Sequence, residues 1–119
     1  MLRAARAGLP IVAVEPAESP VLAGGAPGAH KIEGVGPGFV PPIWQPGLAD
    51  AIETVSTHEA KAMTRRLARE EAVFAGTSTG ANVVAALRVA ERMGFGDRVA
   101  TLACDHGLKY LSTDLYSAP

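Results

Sequence analysis

The stretch Ala72-Val73-Phe74-Ala75-Gly76-Thr77-Ser78-Thr79-Gly80-Ala81-Asn82 constrains this chain more than any other. A short apolar run meets a glycine, then three small hydroxyl residues and a second glycine. An apolar-periodic segment from Val83 to Met93 follows. The pattern predicts a strand, a tight turn and a helix beginning at Thr79. Gly76 and Gly80 are expected to let the backbone turn sharply and approach a ligand closely. Ser78 or Thr79 is expected to cap the helix, and a helix start of this kind suits an anion or polar ligand atom.

The same alternation recurs along the chain. Leu2 to Gly8 reads as a helix end stopped by Gly8-Leu9-Pro10. Ile11-Val12-Ala13-Val14 is a continuous apolar run of the kind buried on both faces of a parallel sheet, ended by Glu15-Pro16. From Ala17 to Pro46 proline and glycine dominate, which predicts one long ordered connection. Ile52-Glu53-Thr54-Val55 predicts a second strand. Ser56-Thr57-His58-Glu59 matches a capping box. The helix it opens reaches about Glu71, with Ala60, Met63 and Leu67 on one face. Val73-Phe74-Ala75 predicts a third strand and Val99-Ala100-Thr101-Leu102-Ala103 a fourth. The helix between them should present Val83, Ala86, Leu87 and Ala90 together and stop near Gly94. The expected class is therefore α/β, a partial parallel sheet with flanking helices, in one partial domain over residues 1–119. Ligands in such sheets sit beyond the carboxyl ends of the strands. The Gly76–Gly80 and Cys104–Gly107 turns both follow predicted strands and are expected to share one crevice.

Composition narrows the function. The net charge of −1 gives no electrostatic case for nucleic acid or anionic lipid. No apolar run approaches the roughly 20 residues that a membrane span needs. The single cysteine forms no internal disulfide and suits a reducing, cytoplasmic compartment. The Arg-rich start through Ala7 is too short and too weakly hydrophobic for a secretory signal. Cys104, Asp105 and His106 are consecutive, so their side chains diverge and make no metal site. Cys104, closing a buried strand, reads as a small core residue. His30 and His58 read as surface residues, and His106 as either ligand-facing or exposed.

Gly76-Thr77-Ser78-Thr79-Gly80 also fits G-x-S-x-G, the serine-hydrolase elbow, with Ser78 as nucleophile. Asp105 and His106 are adjacent and cannot readily serve one triad, and Asp97 precedes a strand rather than following one. Gly34-x-Gly36-x-Gly38 has the glycine spacing of a dinucleotide loop. Phe39-Val40-Pro41-Pro42 follows it, and consecutive prolines do not start the helix that loop requires.

Taken together, several stretches resemble the cysteine synthase (O-acetylserine sulfhydrylase) and cystathionine β-synthase family, pyridoxal-phosphate enzymes of fold type II. They are Val14-Glu15-Pro16, Ser19-Pro20-Val21-Leu22, Gly24-Gly25, Pro27-Gly28, His30-Lys31-Ile32, the Gly34–Pro41 loop, the Gly76–Ala81 turn, and Gly107 with Lys109-Tyr110-Leu111-Ser112-Thr113. The order of these motifs resembles the C-terminal part of such an enzyme, about its last third. The resemblance implies that Ser78, with Gly76 and Thr77, binds the cofactor's pyridine nitrogen. It implies that Gly36 and Pro37 line the substrate side, and that Cys104, Asp105 and His106 back the ring. A neutral hydroxyl at Ser78 makes the ring a milder electron sink, suited to β-elimination and β-replacement.

The departures from the family count as well. Its Schiff-base lysine, asparagine loop and phosphate cradle have no match here, and Lys31, Lys61 and Lys109 do not occupy the lysine's position. No catalytic residue is therefore expected. Glu33 stands where many members carry glutamine, and Thr79 where a second serine is usual. The implied parent acts on an amino-acid substrate such as O-acetylserine, and is a homodimer. The chain alone is expected to be inactive and to self-associate. The alternatives are a truncated non-catalytic product that binds a partner, and the Ser78 hydrolase.

Overall fold

A computed structural model describes residues 2–117; Met1 of the Arg-rich start, and Ala118 and Pro119 of the tail, lie outside the described residues. The elements are α1 (Leu2–Ala5), β1 (Val12–Pro16), β2 (Ala51–Val55), α2 (Thr57–Glu70) and α3 (Thr77–Glu91), followed by a 3-10 turn over Gly107–Tyr110. The α/β class is as expected: β1 and β2 form a parallel pair, with Val12 opposite Ala51 and Pro16 opposite Val55. No described helix is long and apolar enough to cross a membrane.

β1 extends through Glu15 and Pro16 rather than ending before them, and its buried residues are those two; Val12 to Val14 are only half-buried. Glu15 is tolerated inside because its carboxylate accepts the backbone N–H groups of Leu22 and Ala23, at 2.8 and 2.9 Å. That same contact folds the start of the long connection back over the strand.

The capping box forms as expected. Ser56 Oγ accepts from the Glu59 N–H at 3.2 Å, and Glu59 Oε2 accepts from the Ser56 N–H at 3.0 Å. α2 buries Ala60 and Thr64, so its inner face centres on Thr64 rather than Met63. The core is small: Ile32, Val55, Ala60, Ala81 and Ala85, with Val14, Val35 and Val84 packed against it.

Two predicted strands are absent. Val73–Ala75 forms a single antiparallel bridge, Ala75 to His106. The Val73 N–H is already donated to Leu67 O at the end of α2, and Ala72 sits at φ 56°, so the chain leaves the helix in a tight turn rather than extended. Val99–Ala103 is exposed coil, because no described segment lies alongside to accept its ladder hydrogen bonds. Cys104 is exposed in consequence and is not a core residue.

α3 begins two residues before the predicted start. Gly76 is its N-cap, with no side-chain cap, and Ser78 and Thr79 lie within its first turn rather than capping it. The face turned to the core carries Ala81, Val84 and Ala85. Leu87, predicted to be inward, is 49% exposed, and Ala90 is exposed too.

Candidate functional site

Gly76 through Gly80 are all buried, and neither glycine has a positive φ. Their role here is proximity. A Cβ on Gly76 would stand 2.3 Å from Asp105 Oδ1 and 2.4 Å from Tyr110 Cε2; one on Gly80 would stand 2.1 Å from Ala60 O. Gly76 therefore admits the 105–110 segment, and Gly80 admits α2. The close approaches at these two glycines are to protein segments.

Three hydrogen bonds tie the Cys104–Gly107 turn directly to this one. The Gly107 N–H donates to Phe74 O at 3.0 Å and the Gly76 N–H to Asp105 O at 3.3 Å, which together make the Ala75–His106 bridge, and the Cys104 N–H donates to Thr79 Oγ1 at 3.0 Å. Phe74 adds ring contacts to His106, edge-on at 5.4 Å, and to Tyr116 at 4.7 Å. The two turns are clasped together instead of facing each other across a crevice. The open space lies on the Thr77 side, where a cavity of about 540 Å³ is lined by Thr77, Tyr110, His30, Lys31, Glu33 and Lys61 among others.

Ser78 sits inside the clasp, 4% exposed, and its hydroxyl makes no side-chain hydrogen bond among the described residues. Its neighbours are committed. Thr77 Oγ1 accepts from the Glu33 N–H at 3.2 Å and Thr79 Oγ1 from Cys104. The Glu33 contact anchors the root of the Gly34–Pro41 loop beside the turn. Within that loop Gly36 has φ 58°, and its carbonyl lies 2.8 Å from His30 Nε2. A Cβ at Gly36 would meet Pro16 at 2.6 Å. His30 is thus a half-buried loop anchor, not a free surface residue, whereas His58 is exposed as expected. Pro37 is exposed.

Asp105, which the resemblance implies backs the ring together with Cys104 and His106, has contacts that the sequence reading did not specify. Its Oδ2 accepts from Tyr110 Oη at 2.7 Å and from Lys109 Nζ at 2.8 Å; its Oδ1 is buried without a partner among the described residues. Burial pushes the carboxyl up, but the Lys109 and Tyr110 hydrogen bonds outweigh it and hold Asp105 below the usual carboxylate range. Tyr110 is pushed far above the ordinary phenol range, first by burial and then by the Asp105 carboxylate. Asp105 precedes the 3-10 turn that carries Lys109 and Tyr110, and its spacing to them of four and five positions is the local signal for this cluster.

The hydrolase constellation does not assemble. His106 is exposed and its Nδ1 accepts from the Leu108 N–H at 3.2 Å. Asp97 bonds Gly94 beyond the far end of the 15-residue α3, roughly 20 Å of helix away from Ser78. None of the three lysines is free inside the turn: Lys61 pairs with Asp114 at 2.7 Å, Lys109 with Asp105, and Lys31 is exposed.

A buried turn with one uncommitted hydroxyl at a helix start is an arrangement for holding a polar ligand atom. The family of pyridoxal-phosphate dependent enzymes matches residues 1–105, and the chain belongs to that family. It is 47% identical over 107 residues to the cysteine synthase of Staphylococcus aureus strain Mu50, covering 90% of this chain and 34% of the relative. It is 49% identical over 104 residues to the probable cysteine synthase of Bacillus subtilis strain 168, covering 87% of this chain and 33% of the relative. Its fold superposes on the crystal structure of cysteine synthase from Entamoeba histolytica with a TM-score of 0.93 at 39% identity, covering 97% of this chain and 34% of that one. On the O-acetylserine dependent cystathionine beta-synthase of Helicobacter pylori the TM-score is 0.90 at 39% identity, covering 98% and 38%. The chain spans about a third of the length of these relatives. That extent establishes the family; the expected C-terminal position is not part of what it establishes.

Proposed function

We propose that this chain is the part of a cysteine synthase-like enzyme that holds the ring side of pyridoxal phosphate. The observation that carries the reading is Ser78: buried, at the start of α3, with a hydroxyl that no described residue occupies. In this reading Ser78 Oγ hydrogen-bonds the pyridine nitrogen, Gly76 and Thr77 shape its turn, and Gly36 and Pro37 face the substrate. The fit is in the donor chemistry. Ser78 is neutral, so it stabilises the ring nitrogen without holding a proton on it, as a carboxylate would. Bound there, the cofactor supplies the electron sink for β-elimination and β-replacement on O-acetylserine or a related serine derivative. The chain's own residues fix the turn that carries that hydroxyl, through the Thr77–Glu33 and Thr79–Cys104 contacts. The lysine amine that the chemistry requires and the phosphate contacts come from the rest of the enzyme, which is cytoplasmic and dimeric.

The test is a chimera in which this chain replaces the matching third of the Bacillus subtilis relative. Ser78→Ala should weaken cofactor binding by the net worth of one hydrogen bond, about 0.5–1.5 kcal/mol, and slow turnover. Ser78→Asp should impair β-replacement by favouring the protonated ring. Normal cofactor spectra and normal kinetics in both variants would remove the basis of the proposal.

A further inference from the structure

The clasp around Ser78 has a charged centre. Asp105 reaches the turn twice: its carbonyl accepts the Gly76 N–H, and its Oδ1 fills the space that a side chain on Gly76 would take. Oδ2 is held from two sides by Tyr110 and Lys109. Tyr110 is itself buried and packs against Gly76, so the carboxylate and the ring close over the same N-cap. A buried carboxylate oxygen without a partner is costly, and a core anchor would be cheaper as an apolar side chain. What the charge provides is direction: two donors fix the carboxylate, and the carboxylate fixes Gly76, two residues before Ser78.

We infer that Asp105 is a positioning residue, which acts through Gly76 to hold the Ser78 hydroxyl in its binding direction, with Tyr110 and Lys109 as its supports. The inference rests on the assignment of Ser78 proposed above. A positioning role differs from plain stabilisation in where its loss is felt. Loss of an ordinary stabilising contact loosens α2 and α3 together, since they share one core. Loss of a positioning contact loosens the turn alone, and matters to the cofactor only while Ser78 is present.

Two measurements test this. Hydrogen exchange on the 119-residue chain, read by mass spectrometry, compares the peptide over residues 74–81 with α2 in Asp105→Ala and Asp105→Asn. In the chimera, pyridoxal phosphate is titrated into the apo form of Asp105→Ala, Ser78→Ala and the double variant, following the cofactor's absorbance and fluorescence. The expected result for Asp105→Ala is exchange about tenfold faster in the turn with α2 unchanged, a weaker cofactor affinity with altered emission, and no further loss in the double variant. Asp105→Asn, which keeps the shape and an acceptor for Tyr110, should recover most of the turn's protection. Equal acceleration in α2, or additive losses in the double variant, overturns the inference. If Ser78→Ala alone leaves affinity unchanged while the exchange result holds, the assignment of Ser78 fails and the positioning of the turn by Asp105 stands.

Discussion

The backbone of Gly80 in α3 lies against the Ala60 carbonyl of α2, so closely that a Cβ on Gly80 would stand 2.1 Å from that oxygen and 2.2 Å from Thr64 Oγ1. The obstruction is largely backbone, inside a helix, and cannot rotate away. Gly80→Ala should therefore push the helices apart. Overpacking costs about 1–3 kcal/mol, and the better helix propensity of alanine returns at most about 1 kcal/mol. The expected outcome is a lower urea midpoint, read by circular dichroism.

The capping box gives a pH-dependent prediction. Glu59 is held below the usual carboxylate range, first by the Ser56 N–H and then by the Ser56 hydroxyl and Arg88, with burial opposing. A carboxyl whose folded pKa is depressed stabilises the fold at pH values above its unfolded pKa, near the ordinary 4.5. That contribution is lost as pH falls through the folded pKa. Acid titration should thus weaken the fold below about pH 4.5, and Glu59→Gln should flatten that part of the curve. Ser56→Ala should cost about 1 kcal/mol at neutral pH, measured by denaturation.

What could be read in advance follows from how local each signal is. The capping box at Ser56–Glu59 was legible because its partners lie within a few residues; the second strand was legible from its own β-branched run, although its partner β1 lies 39 positions away. Val73–Ala75 and Val99–Ala103 read as strands from hydrophobicity alone, yet a strand needs a neighbour. Among the described residues these two segments have only the Ala75–His106 bridge. The inner face of α3 was misjudged for the same reason: Val83, Leu87 and Ala90 have the right spacing, but α2 packs on the Gly80–Ala81–Ala85 side, where small residues permit closer approach. The motif at Gly76–Gly80 is legible in the sequence, and so is the spacing of Asp105 to Lys109 and Tyr110, whereas the contact of Asp105 with Gly76 spans 29 positions, which no spacing rule contains.

The absence of an assembled triad predicts the behaviour of Ser78 toward acylating reagents. A nucleophilic serine needs a base within hydrogen-bond reach, and His106 is turned to solvent with Nδ1 engaged by its own loop. A fluorophosphonate probe should leave Ser78 unlabelled, and the purified chain should show no esterase activity. Stoichiometric labelling at Ser78 that disappears in His106→Ala would instead establish acyl transfer.

The last prediction concerns the 119-residue chain by itself. Its core cluster holds two larger aliphatic side chains, Ile32 and Val55, and three alanines. Meanwhile Leu87, Met93, Phe95, Val99 and Leu102 stand exposed on and after α3. Exposed apolar side chains in this number favour association, so the chain should elute above its monomer mass, and Leu87→Lys with Leu102→Lys should shift it toward monomer. Cofactor retention fails on magnitude. One hydrogen bond from Ser78 contributes about 0.5–1.5 kcal/mol net, while micromolar affinity needs about 8 kcal/mol. Lys61 and Lys109 are engaged by Asp114 and Asp105, and Lys31 is exposed. Adding pyridoxal phosphate, reducing with borohydride and mapping the adducts by mass spectrometry should show scattered, substoichiometric modification. A single stoichiometric adduct on one lysine, with turnover of O-acetylserine by a soluble monomer, would mean that the chain holds the cofactor and performs the chemistry unaided.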